Sequence, residues 1–259
     1  MKYAFITGAT VNTGYGIAEK FLSEGWGVVI TSRSGGQLDA SIASLGEKYG
    51  EDKVSGYVTN VVRDDNTIDE EYLDYIFSDL DSKGITVDCL VLNAANLGIR
   101  QRIFENPLSD FINVINTNVV MNYAIIERAA LRMKEKKDGS IVFVNSNTAY
   151  RAIPDRVAYV ASKGGQLGLM RALALDLGKY NIRVNAVLPG MIKTDRWEKN
   201  PDFYRDVPSR FTPIGDVAVG EDIADAVYYF AAHARNTTGA ELVVDGGNTI
   251  QLYPIIPKG

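Results

Sequence analysis

Short apolar, β-branched runs alternate with longer stretches of helical periodicity from the first residue nearly to the last. The runs place strands at 2–7, 27–32, 53–59, 87–92, 140–146, 182–188 and 240–244. Between them, apolar positions three and four apart place helices near 15–25, 36–50, 67–83, 108–136, 157–180 and 220–233. Alternation of this kind feeds right-handed crossovers into a sheet covered on both faces. The pattern therefore predicts an α/β fold: three layers, doubly wound, with a seven-stranded, mainly parallel sheet between helices. No repeat, low-complexity tract or linker divides it, so residues 1–259 read as one domain.

Two stretches interrupt the rhythm. Residues 190–219 carry Pro201, Pro208 and Pro213 among Trp197, Phe203, Tyr204 and Phe211, which reads as a lid over a site. Residues 248–259 form an apolar, Pro-punctuated tail, expected to pack on a neighbouring subunit or else to be a disordered end.

Composition changes this picture little. A chain of 259 residues buries roughly 70–75% of its unfolded surface on folding and needs no staples. A net charge of -5 argues against nucleic acid and acidic membrane as partners. With one Cys (Cys89, in a strand pattern) and one His (His233, ending a helix), metal ligation by these residues is not expected. Met1-Lys2 leads straight into the short apolar run Tyr3 to Ile6, closed by Gly8, whereas a secretory leader needs a longer apolar core, so a cytoplasmic place is expected.

Candidate chemistry begins where the first strand ends, in Thr7-Gly8-Ala-Thr-Val-Asn12-Thr13-Gly14-Tyr15-Gly16. Glycines at a strand-to-helix turn let backbone approach a pyrophosphate, and the helix start adds unpaired N–H groups. Alone the stretch is only a turn; at the end of the first strand of an alternating chain it reads as a nucleotide site. The second strand ends in Thr31-Ser32-Arg33, with no carboxylate for a ribose 2′-hydroxyl. Ser32 and Arg33 suit a 2′-phosphate, which favours NADP(H) with NAD(H) as the alternative; a solvated surface Arg33 is the plainer reading.

The second candidate is Ser146 to Lys163. Tyr159 and Lys163 stand four apart on a helix and share a face. An ammonium beside a phenol stabilises the phenolate, and Ser146, where strand passes into loop, is placed to hydrogen-bond the same substrate oxygen. A Tyr-x-x-x-Lys pair is also common on solvated helix faces; its company decides the matter.

That company resembles the short-chain dehydrogenase/reductase family over roughly Lys2 to Gly247. The glycine turn is followed by Asn93-Ala94-Ala95, Asn118, Ser146, Tyr159-x-x-x-Lys163, then Asn185-Ala-Val-Leu-Pro189-Gly190-Met-Ile192-Lys-Thr194 and Val244-Asp-Gly-Gly. The resemblance implies a Rossmann fold, Tyr159 as general acid or base, Ser146 orienting the carbonyl, and Lys163 holding the nicotinamide ribose while lowering the tyrosine pKa. It implies that Asn118 supports a water leading protons to Lys163, and that Pro189, Gly190, Ile192 and Thr194 border the nicotinamide. Asn60-Val61 stands where the family often has Asp-Val near the adenine, and Asn96 where it often has Gly. Five residues separate Gly8 from Gly14, a lengthened turn similar to that of divergent, enoyl-reductase-like members; yet those place a Tyr seven before the Lys, where this chain has Arg156, so the active site keeps the Ser-Tyr-Lys order. The residue before the second glycine, often basic in NADP-binding members, is Thr13.

These readings converge on an NADP(H)-dependent ketoreductase acting on a carbonyl or secondary alcohol, of 3-oxoacyl-thioester or sugar/polyol type. A nucleotide-binding sensor or scaffold without turnover, and a dehydratase or epimerase on the same fold, are the alternatives. Leu97, Ile99, Asn147, Tyr150, Met191, Trp197, Phe203 and Tyr204 are expected to line the substrate pocket, with Arg100, Arg102 and Arg196 at its rim. A homodimer or homotetramer is expected through the helices at 108–136 and 157–180, where Ala161, Gly164, Gly165 and Gly168 permit close approach, unless they pack on the sheet.

Overall fold

The computed structural model describes residues 1–63, 65–194, 197 and 199–254, the side chains of Phe203 and Ser209 excepted. In chain order the elements are β1 (Tyr3–Ile6), α1 (Asn12–Ser23), β2 (Gly27–Ser32), α2 (Gly35–Tyr49), β3 (Val54–Val58), α3 (Glu70–Ser82) and β4 (Val87–Leu92). There follow α4 (Leu108–Ile115), a π turn (Asn116–Val120), α5 (Met121–Lys136), β5 (Gly139–Val144), α6 (Val157–Gly178) and β6 (Ile182–Pro189). The last are α7 (Pro201–Tyr204), α8 (Val207–Phe211), α9 (Gly220–Tyr228) and β7 (Glu241–Val244).

The seven strands run in the order β3-β2-β1-β4-β5-β6-β7, and every pairing is parallel. The order reverses direction between β1 and β4. A crevice opens at the strands' C-terminal ends at such a switch point.

Period-two alternation divides strands β1 to β6 between two cores, while β7 packs against one. Phe5 faces a layer built with Leu73 and Phe77 of α3, Ile125 and Met133 of α5 and Met170 of α6. Ala4 and Ile6 face the opposite layer with Ile17 and Phe21 of α1, Leu45 of α2 and Val227 of α9. Phe5 stacks on Phe77 with ring centroids 5.5 Å apart. Truncating either ring to alanine would cost about 3–5 kcal/mol.

Three expectations change. The helix expected over 108–136 is three pieces, because Asn118 is buried at its middle and turns its amide to the loop after β4 instead of to solvent. The helix expected from residue 67 starts at Glu70, after Asp69 caps it through Tyr72 N, 3.1 Å. Residues 190–219 are no bare loop: α7 and α8 lie within, and Ile192 pairs with Ala218 across the base.

Candidate active site

The glycine turn is fastened to the end of β4. Thr7 Oγ1 accepts from the N–H groups of Asn93 and Ala94, each at 3.0 Å, and Asn93 Nδ2 donates to the carbonyls of Thr7 (3.1 Å) and Gly8 (2.8 Å). Gly8 takes a φ of 63°, in the left-handed region. A Cβ on Gly14 would stand 2.2 Å from the Gly8 carbonyl oxygen, so only glycine fits. Helix α1 has no acidic residue in its first turn and no side chain capping its N–H groups. Such a helix start suits an anion.

A cavity of about 810 Å³ opens in front of this turn. Gly8, Asn12, Thr13, Gly14, Ser32, Arg33, Asn60, Val61, Asn93, Ala94 and Ala95 all border it, as expected from the chain. Val11, one of the extra residues of the lengthened turn, borders it too; Thr10, Ser34 and Gln37 also do and were not singled out, their signal being position, in that turn and at the start of α2. Ser32 Oγ accepts from Thr10 Oγ1 (3.3 Å) and Ser34 N (3.2 Å), which leaves its own proton to give. Tyr15 and Gly16 do not border the cavity. The Tyr15 hydroxyl meets Ser44 Oγ at 3.0 Å, and Gly16 backs onto Gly220 where α1 crosses α9. A dinucleotide fits the residues present: a cradle that any side chain at Gly14 would fill, an uncapped helix start for the pyrophosphate, and Ser32 with Arg33 at the adenosine end.

Ser146, Tyr159 and Lys163 come together at the C-terminal end of β5. Ser146 Oγ accepts from Thr148 N (3.2 Å) and Thr148 Oγ1 (2.9 Å), and a Ser146 hydrogen bond reaches the Tyr159 phenol. Lys163 is fully buried, with Nζ 5.6 Å from the Tyr159 ring centre, donating to Val144 O (3.0 Å) and Gln166 Oε1 (3.2 Å). Burial pushes its ammonium down to about 7. Burial pushes the Tyr159 phenol up, while the Ser146 hydrogen bond and the Arg156 charge pull it down. Among the described residues no carboxylate forms an ion pair with Lys163, so burial drives it towards neutrality, and the Arg156 charge also bears on the phenol.

Asn118 is buried and cross-ties the site. Its Oδ1 accepts from Asn96 N (2.7 Å), and its Nδ2 donates to Asn96 O (2.8 Å) and Ser162 Oγ (2.9 Å). Its main-chain oxygen accepts from Asn122 Nδ2 (2.8 Å) and Gln166 Nε2 (2.7 Å). Both lone pairs of that main-chain oxygen are thus taken by amides, and Gln166 links Asn118 to Lys163.

Pro189, Gly190, Ile192 and Thr194 lie at and beyond the end of β6, outside the 810 Å³ cavity. Gly190 is pressed against Asp245, 2.6 Å from where its Cβ would stand. Of the expected substrate lining, Leu97 borders the cavity. Ile99 is exposed, with its N–H on Asp110, while Met191 is partly exposed. Asn147 is not free, because its amide donates to Asn248 Oδ1 at 2.9 Å. Tyr150 is exposed, its phenol donating to the Glu241 carboxylate of β7, which stands beside β6 in the sheet. Trp197 stacks on Tyr204 (4.4 Å, 19°) and closes a second cavity of about 350 Å³ with Lys193, Pro201, Arg205, Pro208 and Asp216. Arg100 and Arg102 are exposed. Arg196 and the Phe203 side chain lie outside the described residues, as does the tail from 255 to 259.

The start of the tail is tied to its own chain. Arg151 Nη1 donates to the carbonyls of Asn248 (2.8 Å) and Thr249 (3.1 Å), and Asn248 Nδ2 donates to Phe211 O at 2.8 Å. Ile250, Leu252 and Tyr253 remain exposed. Ala161, Gly164, Gly165 and Gly168 of α6 are exposed as well, with open space beyond Gly164 and Gly168, so they do not pack on the sheet. Gln166, Asn145 and Asn248 were not singled out from the sequence; each has a partner far away in the chain, which periodicity does not report.

The family described as enoyl-(acyl carrier protein) reductase matches residues 8–249. The chain is 30% identical to the 3-oxoacyl-[acyl-carrier-protein] reductase FabG of Chlamydia trachomatis, over 95% of this chain and 96% of that one. It is 31% identical to a 3alpha-hydroxysteroid dehydrogenase of Mediterraneibacter gnavus, over 95% and 96%. Among solved structures, ElxO with NADP bound superposes with a TM-score of 0.86 at 30% identity, covering 96% of this chain and 99% of that one. A glycine cradle at the sheet's switch point, a serine-tyrosine-lysine cluster at the end of β5, and these likenesses over nearly the full length establish the chain as a member of the short-chain dehydrogenase/reductase family, an NAD(P)-dependent oxidoreductase.

Proposed function

We propose that the chain is an NADP(H)-dependent ketoreductase that interconverts a ketone and a secondary alcohol, with Tyr159 as general acid and base. The observation that carries this reading is the Tyr159 phenol, hydrogen-bonded by Ser146 and 5.6 Å from buried Lys163. Bound nicotinamide supplies the hydride chemistry. Ser146 orients the carbonyl oxygen, and Tyr159 gives it a proton. Lys163 lies behind the phenol, and Asn118 holds the loop after β4 in place. Pro189, Gly190, Ile192 and Thr194 border the nicotinamide end.

Preference for the 2′-phosphate is supported by Ser32 and Arg33 at the cavity edge and by the NADP-bound relative. NAD(H) is the alternative. The substrate is assigned to 3-oxoacyl thioesters or sugar and polyol ketones, supported by the named reductase relatives and the aromatic cavity of the 190–219 segment, read as a lid. Association into a homodimer or homotetramer is supported by the exposed small-residue face of α6 and by exposed Val120, Tyr123 and Leu131 beside it in the fold.

Tyr159→Phe, assayed with NADPH and a panel of ketones, tests the reading. Turnover is expected to fall at least about 100-fold while NADPH binding persists. Equal turnover, or NADPH bound by the native chain but oxidised with no ketone, would sink it in favour of a sensor or a same-fold dehydratase.

A further inference from the structure

Gln166 stands at a junction that the reading above does not use. It is buried to 1% exposure on α6, one turn past Lys163. Its Oε1 accepts from Lys163 Nζ (3.2 Å) and Asn145 Nδ2 (3.0 Å), and its Nε2 donates to the Asn118 carbonyl (2.7 Å). The amide has one allowed orientation. An ammonium and an amide nitrogen only donate, and a main-chain carbonyl only accepts, so the oxygen must face Lys163 and the nitrogen Asn118.

Its neighbours carry the connection further. Asn145 Nδ2 also donates to Lys163 O (3.0 Å), and Asn145 Oδ1 accepts from Ser146 N (2.7 Å). One side chain therefore ties together the serine loop, the lysine and the π turn. The groups around Nζ are otherwise neutral. On its own helix the titratable neighbour is Tyr159, with Arg156 acting on the phenol from the helix start. The end of β5 presents the Val144 carbonyl, Asn145 and Ser146; the π turn presents Asn118. Among the described residues, no carboxylate forms an ion pair with Lys163.

We propose that Gln166 is a positioning residue that holds Lys163 Nζ in place and sets its ionisation, by aiming a fixed amide dipole at a buried ammonium that has no carboxylate to offset its charge. An acceptor aimed at the charged form favours that form. Without Gln166 only the Val144 carbonyl would do so, and the ammonium would lose its proton at lower pH. The kinetic arm of the test rests on the ketoreductase reading; the titration arm does not.

The titration arm follows the Lys163 Cε resonance across neutral pH in the unliganded, ¹³C-lysine-labelled protein. Gln166→Met, close in shape but without the acceptor, is expected to lower the Lys163 midpoint by roughly one unit, and Gln166→Leu to act in the same direction. In the native chain, the Gln166 side-chain amide signals should titrate with the same midpoint as Lys163. That measurement needs no variant to fold. A midpoint unmoved in the variants, or Gln166 signals indifferent to Lys163, overturns the proposal. The kinetic arm is the pH profile of ketone reduction, whose alkaline limb should move down with the midpoint in Gln166→Met. A midpoint that moves while the profile stays would support the hold on Lys163 and refute its part in turnover, and an equal loss at every pH with no shift of the midpoint would overturn the proposal.

Discussion

Gly14 lies so close beneath Gly8 that a methyl group on it would stand 2.2 Å from the Gly8 carbonyl oxygen and 2.6 Å from Asn93 Nδ2. The lengthened turn thus closes on itself at the point where a pyrophosphate would rest. Backbone cannot yield there without releasing Asn93, which binds the Thr7 and Gly8 carbonyls. Gly14→Ala is expected to cost about 1–3 kcal/mol of stability by overpacking. Cofactor affinity should fall at least about tenfold, and thermal unfolding with NADPH fluorescence titration reads both.

Burying the Lys163 ammonium carries a stability cost at neutral pH. Its folded value of about 7 lies below the ordinary 10.5, so between these values the unfolded chain binds more protons than the folded one. The penalty is present in full below about 7 and fades as pH rises towards 10.5. Lys163→Met should be more stable than the native chain at neutral pH by about 1–3 kcal/mol, the lost charge being partly offset by an orphaned Val144 carbonyl. Its stability should also rise less steeply across that window, and its turnover should be lost. Denaturant unfolding at several pH values checks the sign, and a less stable Lys163→Met refutes it.

Arg33 sits exposed at the cavity edge beside Ser32. If it meets a 2′-phosphate, Arg33→Ala weakens NADPH binding about 10- to 100-fold, the worth of a charge-assisted contact, and leaves NADH binding unchanged. Calorimetric titration with both nucleotides decides. Equal effects on the two would return Arg33 to the solvated surface.

Asn248 bridges the loop after β5 and the end of α8. It accepts from Asn147 Nδ2 at 2.9 Å and donates to Phe211 O at 2.8 Å, so the residue beside Ser146 and the 190–219 segment share one amide. Asn248→Ala should raise KM several-fold with a smaller change in kcat, and cost about 1–2 kcal/mol of stability. Steady-state kinetics on a ketone substrate would show it; a loss confined to kcat would place the effect on the serine instead.

Much of the site was readable along the chain because its parts are local. The lysine stands one helical turn from the tyrosine, and the glycine turn joins two consecutive elements, so spacing alone places each pair. The break in the long helix was not readable, since it depends on Asn118 exchanging hydrogen bonds with Asn96, 22 residues earlier. Gln166 looked like any polar residue in a helix for the same reason. Its distant partners, Asn145 and Asn118, come from the end of β5 and the π turn, and only the packed sheet brings those to α6.

The amino-acid order by itself determined the alternation of strand and helix, a sheet covered on both faces and the local pairing of Tyr159 with Lys163, because hydrophobic period and local spacing act within a few residues. Tertiary structure alone decided where those groups stand and how they ionise. The order β3-β2-β1-β4-β5-β6-β7 opened the crevice at the β1–β4 switch, laid β7 where Glu241 takes the Tyr150 phenol, and enclosed Lys163 away from water with an amide for company. Burial and partnership across the chain set a pKa, and neither is a property of a stretch of sequence.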